Sequence, residues 1–108
     1  MYTYDDVKEH SNDRDYVEKA VEEDGLLLDA ASPELQDDKE LVMKAVTKDG
    51  GALEFASKRL KADREILMQA VEKKGWVLCY ASDELKADKE LVLKAAKTDG
   101  QILYYVSK

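Results

Sequence analysis

Glycine recurs along this chain at a constant interval of 25 residues, and an aspartate, an alanine, a leucine and a serine share that interval. Residues 38–62 and 63–87 carry the same amino acid at 13 of 25 aligned positions, which chance similarity does not produce. Such a period is typical of repeat proteins, in which each unit is one supersecondary element that packs on its neighbours. We therefore divide the single domain, 108 residues long, into an N-terminal capping segment, 1–12, three repeats, 13–37, 38–62 and 63–87, and a partial fourth repeat, 88–108.

The composition and the spacing of apolar residues both predict helices. The chain has one proline and five glycines, and it is rich in residues that favour helix. In the second repeat Leu41, Val42, Ala45 and Val46 recur at helical spacing and give an expected helix of about 11 residues a broad apolar face. A shorter helix is expected after each glycine, over about 26–32 in the first repeat. Its inward residues are expected to be Leu27, Leu28 and Ala31, echoed by Val77, Leu78 and Ala81. We predict an all-α fold, a short helical-repeat solenoid with two helices per 25-residue unit.

Both ends of the first helix in each repeat carry residues typical of helix caps. An aspartate precedes the first turn, where a carboxylate accepts hydrogen bonds from free backbone N–H groups. A glycine follows the last turn, and we predict that it ends the helix in the left-handed conformation, which costs glycine no Cβ clash. Ser32 precedes Pro33 and is expected to cap a further brief turn. The predicted caps are Asp13, Asp38, Asp63 and Asp88 at helix starts, with Gly25, Gly50, Gly75 and Gly100 at helix ends.

The repeat pattern, D-[KR]-[DE]-x-[VL]-x-x-A-[VA]-x-x-x-G-x-x-L-x-x-[AV]-S-x-x-L, resembles repeats classed as domain of unknown function 4116 over about residues 13–108. In the second repeat the resemblance is carried by Asp38, Glu40, Val42, Ala45, Val46, Gly50, Leu53, Phe55, Ala56, Ser57 and Leu60. Departures from the pattern are Leu26, Asp29 and Ala30 in the first repeat and Gly51 in the second. The resemblance implies a tandem helical repeat with no assigned activity, so it supplies no catalytic residue.

The charge balance and the single cysteine exclude several classes of protein. There are 17 basic and 24 acidic residues, and the formal net charge of −7 disfavours binding to nucleic acid or to anionic membranes. The longest apolar run, 76–81, is too short to cross a membrane. Cys79 has no second cysteine with which to form a disulfide or a cysteine zinc site, and we expect a reducing, cytoplasmic location.

No residue pattern in the chain points to catalysis, to a metal or to a cofactor. His10 is the single histidine, so neither a histidine metal site nor a triad has its usual partners. Cys79 has no evident base beside it in the sequence. Asp-Gly pairs suggest calcium loops, but Ala20 and Ala45 stand where the first calcium ligand is required. We predict a protein that is not an enzyme and has no cofactor.

A ladder of basic residues recurs at the position that follows each capping aspartate. Its members are Arg14, Lys39, Arg64 and Lys89. Each basic residue has an acidic residue on both sides, which would neutralise a basic stripe. We predict that the ladder forms ion pairs between repeats on a solvated face.

The repeats differ most at the positions 13, 16 and 20 residues after the aspartate. On a regular helix these positions would share one face. A variable face on a shared scaffold is suited to partner recognition, although solvated positions also vary without any function. Aromatic residues at these positions favour recognition, because exposed rings are typical interface anchors. The predicted partner-binding surface comprises Trp76, Cys79, Asp83, Gln101 and Tyr104.

Two functional hypotheses follow from the sequence. The first is a non-enzymatic helical-repeat module that binds an unidentified protein partner, and the alternative is a purely structural repeat fragment or spacer of a larger protein. We also expect self-association through the C-terminal repeat edge, where Ile102, Leu103, Tyr105 and Val106 lack a following helix. At the other end, Tyr4 and Val7 are expected to turn inward.

Overall fold

A computed structural model describes residues 2–100, in which all regular secondary structure is helical and no strand occurs. The all-α prediction is therefore confirmed. The α-helices are α1, Tyr4–Glu9; α2, Arg14–Glu23; α3, Pro33–Gln36; α4, Lys39–Lys48; α5, Lys58–Lys61; α6, Arg64–Lys73; α7, Asp83–Lys86; and α8, Lys89–Thr98. Three 3₁₀ helices alternate with them: η1, Gly25–Ala30; η2, Gly50–Phe55; and η3, Gly75–Tyr80.

Each complete repeat contains three helical segments, so the prediction of two helices per unit is wrong in detail. A ten-residue α-helix leads into a six-residue 3₁₀ helix and then into a four-residue α-helix. The sequence predicts that the second segment runs on to about Ser32, but Ala31 and Ser32 are extended. The equivalent alanine and serine are extended in the next two repeats without a following proline, so Pro33 is not the general cause. The extended serine donates its backbone N–H to the preceding unit, as Ser32 does to Ser11 O at 2.8 Å. The brief turn predicted after Ser32 is present as α3, and Ser32 Oγ accepts from the Leu35 backbone N–H at 3.3 Å.

The aspartates expected at helix starts do cap the ten-residue helices. Asp38 Oδ1 accepts from the Leu41 backbone N–H at 3.1 Å, and Asp88 Oδ1 accepts from Leu91 at the same distance. The equivalent carboxylates of Asp13 and Asp63 cap α2 and α6 in the same way. These side chains satisfy backbone donors that have no partner within the helix.

The left-handed conformation predicted for the periodic glycines is wrong. Within residues 2–100 no glycine has a positive φ, and Gly25, Gly50 and Gly75 begin the 3₁₀ helices instead of ending the α-helices. Close packing explains three of them: an added Cβ would lie 2.2 Å from Ala45 O at Gly25, 2.7 Å from Ala70 O at Gly50 and 2.0 Å from Ala95 O at Gly75. The glycines therefore allow each 3₁₀ helix to touch the backbone of the next repeat. Gly100 has no atom within 4 Å of such a Cβ.

The core lies between a layer of ten-residue helices and a layer of 3₁₀ helices. Helices α2, α4, α6 and α8 pack side by side in chain order, and η1, η2 and η3 pack in the same order. The residues predicted to face inward are buried: Leu41, Val42, Ala45 and Val46 on α4, and Leu27, Leu28, Ala31, Val77, Leu78 and Ala81 in the second layer. The extents of 41 × 23 × 18 Å fit a stack of units in one direction.

The N-terminal segment covers the first repeat with aromatic side chains. Val7 is buried as expected, but Tyr4 is 44% exposed, so its predicted inward position is wrong. Tyr2 is the tyrosine that packs inward, because its ring meets Tyr16 edge-on at 5.2 Å while His10 stacks on Tyr16 at 4.1 Å. The C-terminal residues expected to form a sticky edge lie outside the described residues.

Replacement of Gly25 by alanine should destabilise the protein by roughly 2 kcal/mol, because the added Cβ would overlap the Ala45 carbonyl group. Gly51 provides the matched control. A Cβ there would meet Asp49 Oδ1 at 3.2 Å and Leu26 Cδ2 at 3.6 Å, so Gly51→Ala should change stability by less than about 1 kcal/mol. Urea unfolding measures both variants, and an equal cost at the two positions would contradict this account of the repeat contact.

Truncation of Leu78, whose side chain is fully buried in η3, should cost about 2–5 kcal/mol in the free energy of unfolding. Leu93 on α8 is 63% exposed, and Leu93→Ala should cost less than about 1 kcal/mol. Thermal and urea unfolding followed by circular dichroism compare the two leucines. A small effect of Leu78→Ala would show that the packing of η3 is wrongly described.

Candidate functional site

Three of the four basic residues of the ladder, Arg14, Lys39 and Arg64, form ion pairs between successive repeats, as predicted. Lys89 forms no ion pair within residues 2–100. Arg14 Nε lies 2.7 Å from Asp38 Oδ2, and Arg14 Nη2 lies 3.7 Å from Glu40 Oε1. Lys39 repeats this arrangement one unit later, with Nζ 3.0 Å from Asp63 and 2.8 Å from Glu65.

The third set of ion pairs, which we call a rung of the ladder like the two before it, joins the third and fourth repeats. Arg64 pairs with the capping carboxylate of Asp88 at 2.8 Å and also with Glu90. Each of these rungs therefore joins one basic residue to the first turn of the next ten-residue helix. The cations of the three rungs are neutralised, so they do not form a free surface for an anionic partner.

The ladder also shifts the ionisation of its members. The hydrogen bond from Arg14 holds the pKa of Asp38 below its ordinary value of 3.8, and the same contact raises the pKa of Arg14. Arg64 likewise lowers the pKa of Asp88. The pairs are partly exposed, so their contribution to stability is modest and salt-dependent.

Trp76 is the centre of the surface predicted to bind a partner. It lies near the start of η3 and remains 39% exposed. Its ring meets the half-buried ring of Tyr80 edge-on, with 5.6 Å between the centroids. Lys74, which precedes η3, provides no side-chain cap; its ammonium group pairs with Asp49 at 3.0 Å instead.

Contacts from the second repeat fix the position of Tyr80. Its hydroxyl group donates to Glu54 Oε2 at 3.1 Å, and the ammonium group of Lys61 lies 5.8 Å from the ring centroid. Burial and the hydrogen bond to Glu54 raise the pKa of Tyr80 above its ordinary value of 10.0, so the phenol is neutral at physiological pH. The aromatic pair of Trp76 and Tyr80 therefore rests on the preceding repeat.

A cleft of about 480 Å³ opens next to this aromatic pair. The second repeat contributes α5 to one side, and the end of η3 with the start of α7 forms the other. The lining side chains are Lys58, Lys61, Tyr80, Ala81, Ser82 and Asp83.

The structure places part of the predicted surface together. Trp76, Cys79 and Asp83 are all exposed, and Tyr80 links them because it contacts Trp76 and lines the cleft with Asp83. The single helical face expected for these positions does not exist, because Trp76 and Cys79 belong to η3 while Asp83 belongs to α7. Predicted members Gln101 and Tyr104 lie outside the described residues.

Of the six residues that line the cleft, the predicted surface includes Asp83 and misses the other five: Lys58, Lys61, Tyr80, Ala81 and Ser82. A usable signal was present, since α5 has the sequence Lys58-Arg59-Leu60-Lys61, whereas its counterparts α3 and α7 each carry acidic residues. The contact between Lys61 and Tyr80 joins two repeats, so spacing within one repeat does not reveal it.

Among residues 2–100, no group of three or more histidine, cysteine, aspartate or glutamate side chains is arranged to hold a metal ion. In the same range, no helix combines the length and apolar character needed to span a bilayer.

The sequence profile of the family described as "Domain of unknown function (DUF4116)" matches residues 13–61 and 63–108. The two matches cover most of the chain, so the protein belongs to this family. No curated protein and no solved structure matches the chain.

Acidification should remove the stabilisation that the ladder provides. Because the pKa of Asp38 is lower in the folded protein, its contribution is complete above the ordinary pKa of 3.8 and is lost as pH falls through the folded value. Arg14→Gln should therefore be less stable than the wild type at neutral pH, and the difference should shrink in acid. Urea unfolding across the pH range measures it, with Lys48→Gln on the exposed face of α4 as a control. A difference that stays constant with pH would contradict the pairing.

Proposed function

We propose that this chain is a non-enzymatic protein-interaction module whose partner surface is centred on Trp76. The observation that carries the proposal is the exposed indole of Trp76, which is held edge-on against Tyr80 beside a cleft. Large aromatic side chains that remain accessible on a fixed backbone are typical anchors of protein interfaces.

The surroundings of Trp76 support this role because they are fixed before any partner arrives. Tyr80 is held by Glu54 and Lys61 of the preceding repeat, and the following residue Ala81 is buried. A surface that is already ordered loses little conformational freedom on association. The equivalent repeat positions hold Leu26 and Gly51, so this surface is particular to the third repeat.

A structural spacer within a larger protein is the second candidate. The ion pairs of Arg14, Lys39 and Arg64 favour it, because they join each repeat to the next and set the spacing of the stack. In a spacer, contacts between neighbouring repeats would be the whole function, and Trp76 would have no role in binding.

The absence of catalysis and a cytoplasmic location are further parts of the proposal. Cys79 is exposed and is the single cysteine of the chain. A free thiol at the surface is compatible with a reducing compartment.

Replacement of Trp76 by alanine should weaken the binding of a native partner by about tenfold or more, because an interface anchor is lost. Leu26→Ala is the matched control, since Leu26 occupies the same repeat position and is 42% exposed. The experiment captures proteins from the native host on wild-type and variant chains, and then measures the purified candidates by calorimetry.

A partner that binds the wild type and Leu26→Ala but not Trp76→Ala would support the interaction module. Captured proteins that bind all three chains equally would contradict a site at Trp76. In that case a spacer role would be favoured.

A further inference from the structure

The serines that precede the first two four-residue helices donate side-chain hydrogen bonds to the preceding unit. Ser32 Oγ donates to Asn12 Oδ1 at 2.9 Å, and Ser57 Oγ donates to Asp37 Oδ1 at 2.5 Å. Arg59 Nε donates to the same carboxylate at 2.9 Å. The junction between the first and second repeats therefore holds a carboxylate between a hydroxyl group and a cation.

The next junction lacks this carboxylate but keeps its geometry. Ala62 occupies the position of Asp37, with φ and ψ of −100° and 6° against −104° and 9°. Ser82 Oγ accepts from the Leu85 backbone N–H at 3.4 Å, but within residues 2–100 it donates to no acceptor. The third repeat therefore has the hydroxyl donor at Ser82, but the second repeat lacks the acceptor that the first repeat provides at Asp37.

Cations are present at this second junction, although they come from a different helix. Glu84 stands where Arg59 stands one repeat earlier, so the third repeat supplies no cation of its own. Lys58 and Lys61 of α5 line the cleft together with Ser82. Neither lysine has an ion-pair partner in the described part of the chain, and Lys61 faces only the ring of Tyr80.

The other side chains that line the cleft limit the chemistry of a ligand. Tyr80 offers an aromatic surface that continues to Trp76. Asp83 adds one negative charge, which opposes a carboxylate but can accept a hydrogen bond from a peptide N–H group. A short peptide with an acidic side chain next to an apolar one matches these groups. Its carboxylate suits the hydroxyl group and the lysines, its apolar side chain suits the aromatic rings, and its backbone N–H can donate to Asp83.

We propose that the cleft between α5 and α7 binds a carboxylate side chain from an acidic segment of a protein partner, at the place that Asp37 occupies one junction earlier. The carboxylate accepts from the Ser82 hydroxyl group and pairs with Lys58 and Lys61. The neighbouring apolar side chain packs on Tyr80 and Trp76. This inference rests on the proposed function and adds the chemistry of the partner.

Charge distribution favours a short acidic peptide over a long polyanion. The chain carries a net charge of −7, so nucleic acid that extends beyond the cleft meets a repulsive surface. Charges separated by more than about 8–10 Å are screened at physiological salt, so a short segment responds mainly to the lysines of the cleft.

The first experiment measures the binding of a fluorescein-labelled peptide of alternating glutamate and phenylalanine by fluorescence anisotropy. A matched peptide carries glutamine in place of each glutamate. The wild-type chain should bind the glutamate peptide at least about tenfold more tightly, and Lys58→Ala with Lys61→Ala should remove that preference. Lys48→Ala with Lys86→Ala serves as a control of equal charge.

A second experiment occupies the proposed site with a carboxylate of the chain itself. Ala62→Asp places a carboxylate where Asp37 lies in the previous junction, so it should raise the melting temperature and block the glutamate peptide. Asp83→Asn acts in the opposite direction, because removal of the negative charge should tighten binding of the same peptide. Circular dichroism verifies that each variant is folded.

Equal binding of the two peptides would overturn the proposal, as would unchanged binding by the double lysine variant or by Ala62→Asp. Displacement of the peptide by an oligonucleotide at equal concentration would also overturn it, because the site would then be a general anion patch. If these tests fail while Trp76→Ala still abolishes the capture of a native partner, only the carboxylate site is wrong. Loss of both results would contradict the interaction module itself.

Discussion

The structure depends on a backbone contact between each 3₁₀ helix and the last turn of the next ten-residue helix. Gly25 lies so close to Ala45 that an added Cβ would be 2.2 Å from the carbonyl oxygen, and Gly50 approaches Ala70 in the same way. The Ala45 carbonyl also accepts the Asp49 backbone N–H at 2.9 Å, so it belongs to the helix end. Because protein interiors are close-packed, a larger residue would separate the repeats and open the core between them. The period of glycine therefore follows from this contact.

Electrostatic pairing follows from this packing and has a different role. Arg14 and its counterparts reach the first turn of the next repeat because the stack holds successive helices at a constant spacing. Exposed ion pairs of this kind contribute little free energy each, so the buried leucines supply most of the stability, while the pairs favour one register. The ladder also neutralises the charges of Arg14, Lys39 and Arg64. Lys58 and Lys61 have no ion-pair partner in residues 2–100, and both line the same cleft.

The candidate site shows why a repeat is easier to predict than a surface. The sequence indicates Trp76 because it is an aromatic residue at a position where the repeats vary, and it is exposed in the structure. Tyr80 and Lys61 were not identified, because their contact joins residues of two repeats through space. The absence of a carboxylate at Ala62 is informative only by comparison with the hydrogen bond between Ser57 and Asp37. That hydrogen bond joins two repeats, so the sequence does not reveal it.

The all-α class, the first helix of each repeat with its aspartate cap, and the inward face of Leu41 and its neighbours all follow from the sequence alone. Those features are local: helical periodicity, side-chain hydrogen bonds to the first turn, and apolar burial depend on residues a few positions apart. Tertiary structure decided the conformation of Gly25 and the division of the second helix at Ala31. A glycine before a short helix is compatible with a left-handed stop and with a close contact, and a single sequence does not distinguish them. The carbonyl group of the next repeat makes that choice, because it leaves no room for a Cβ.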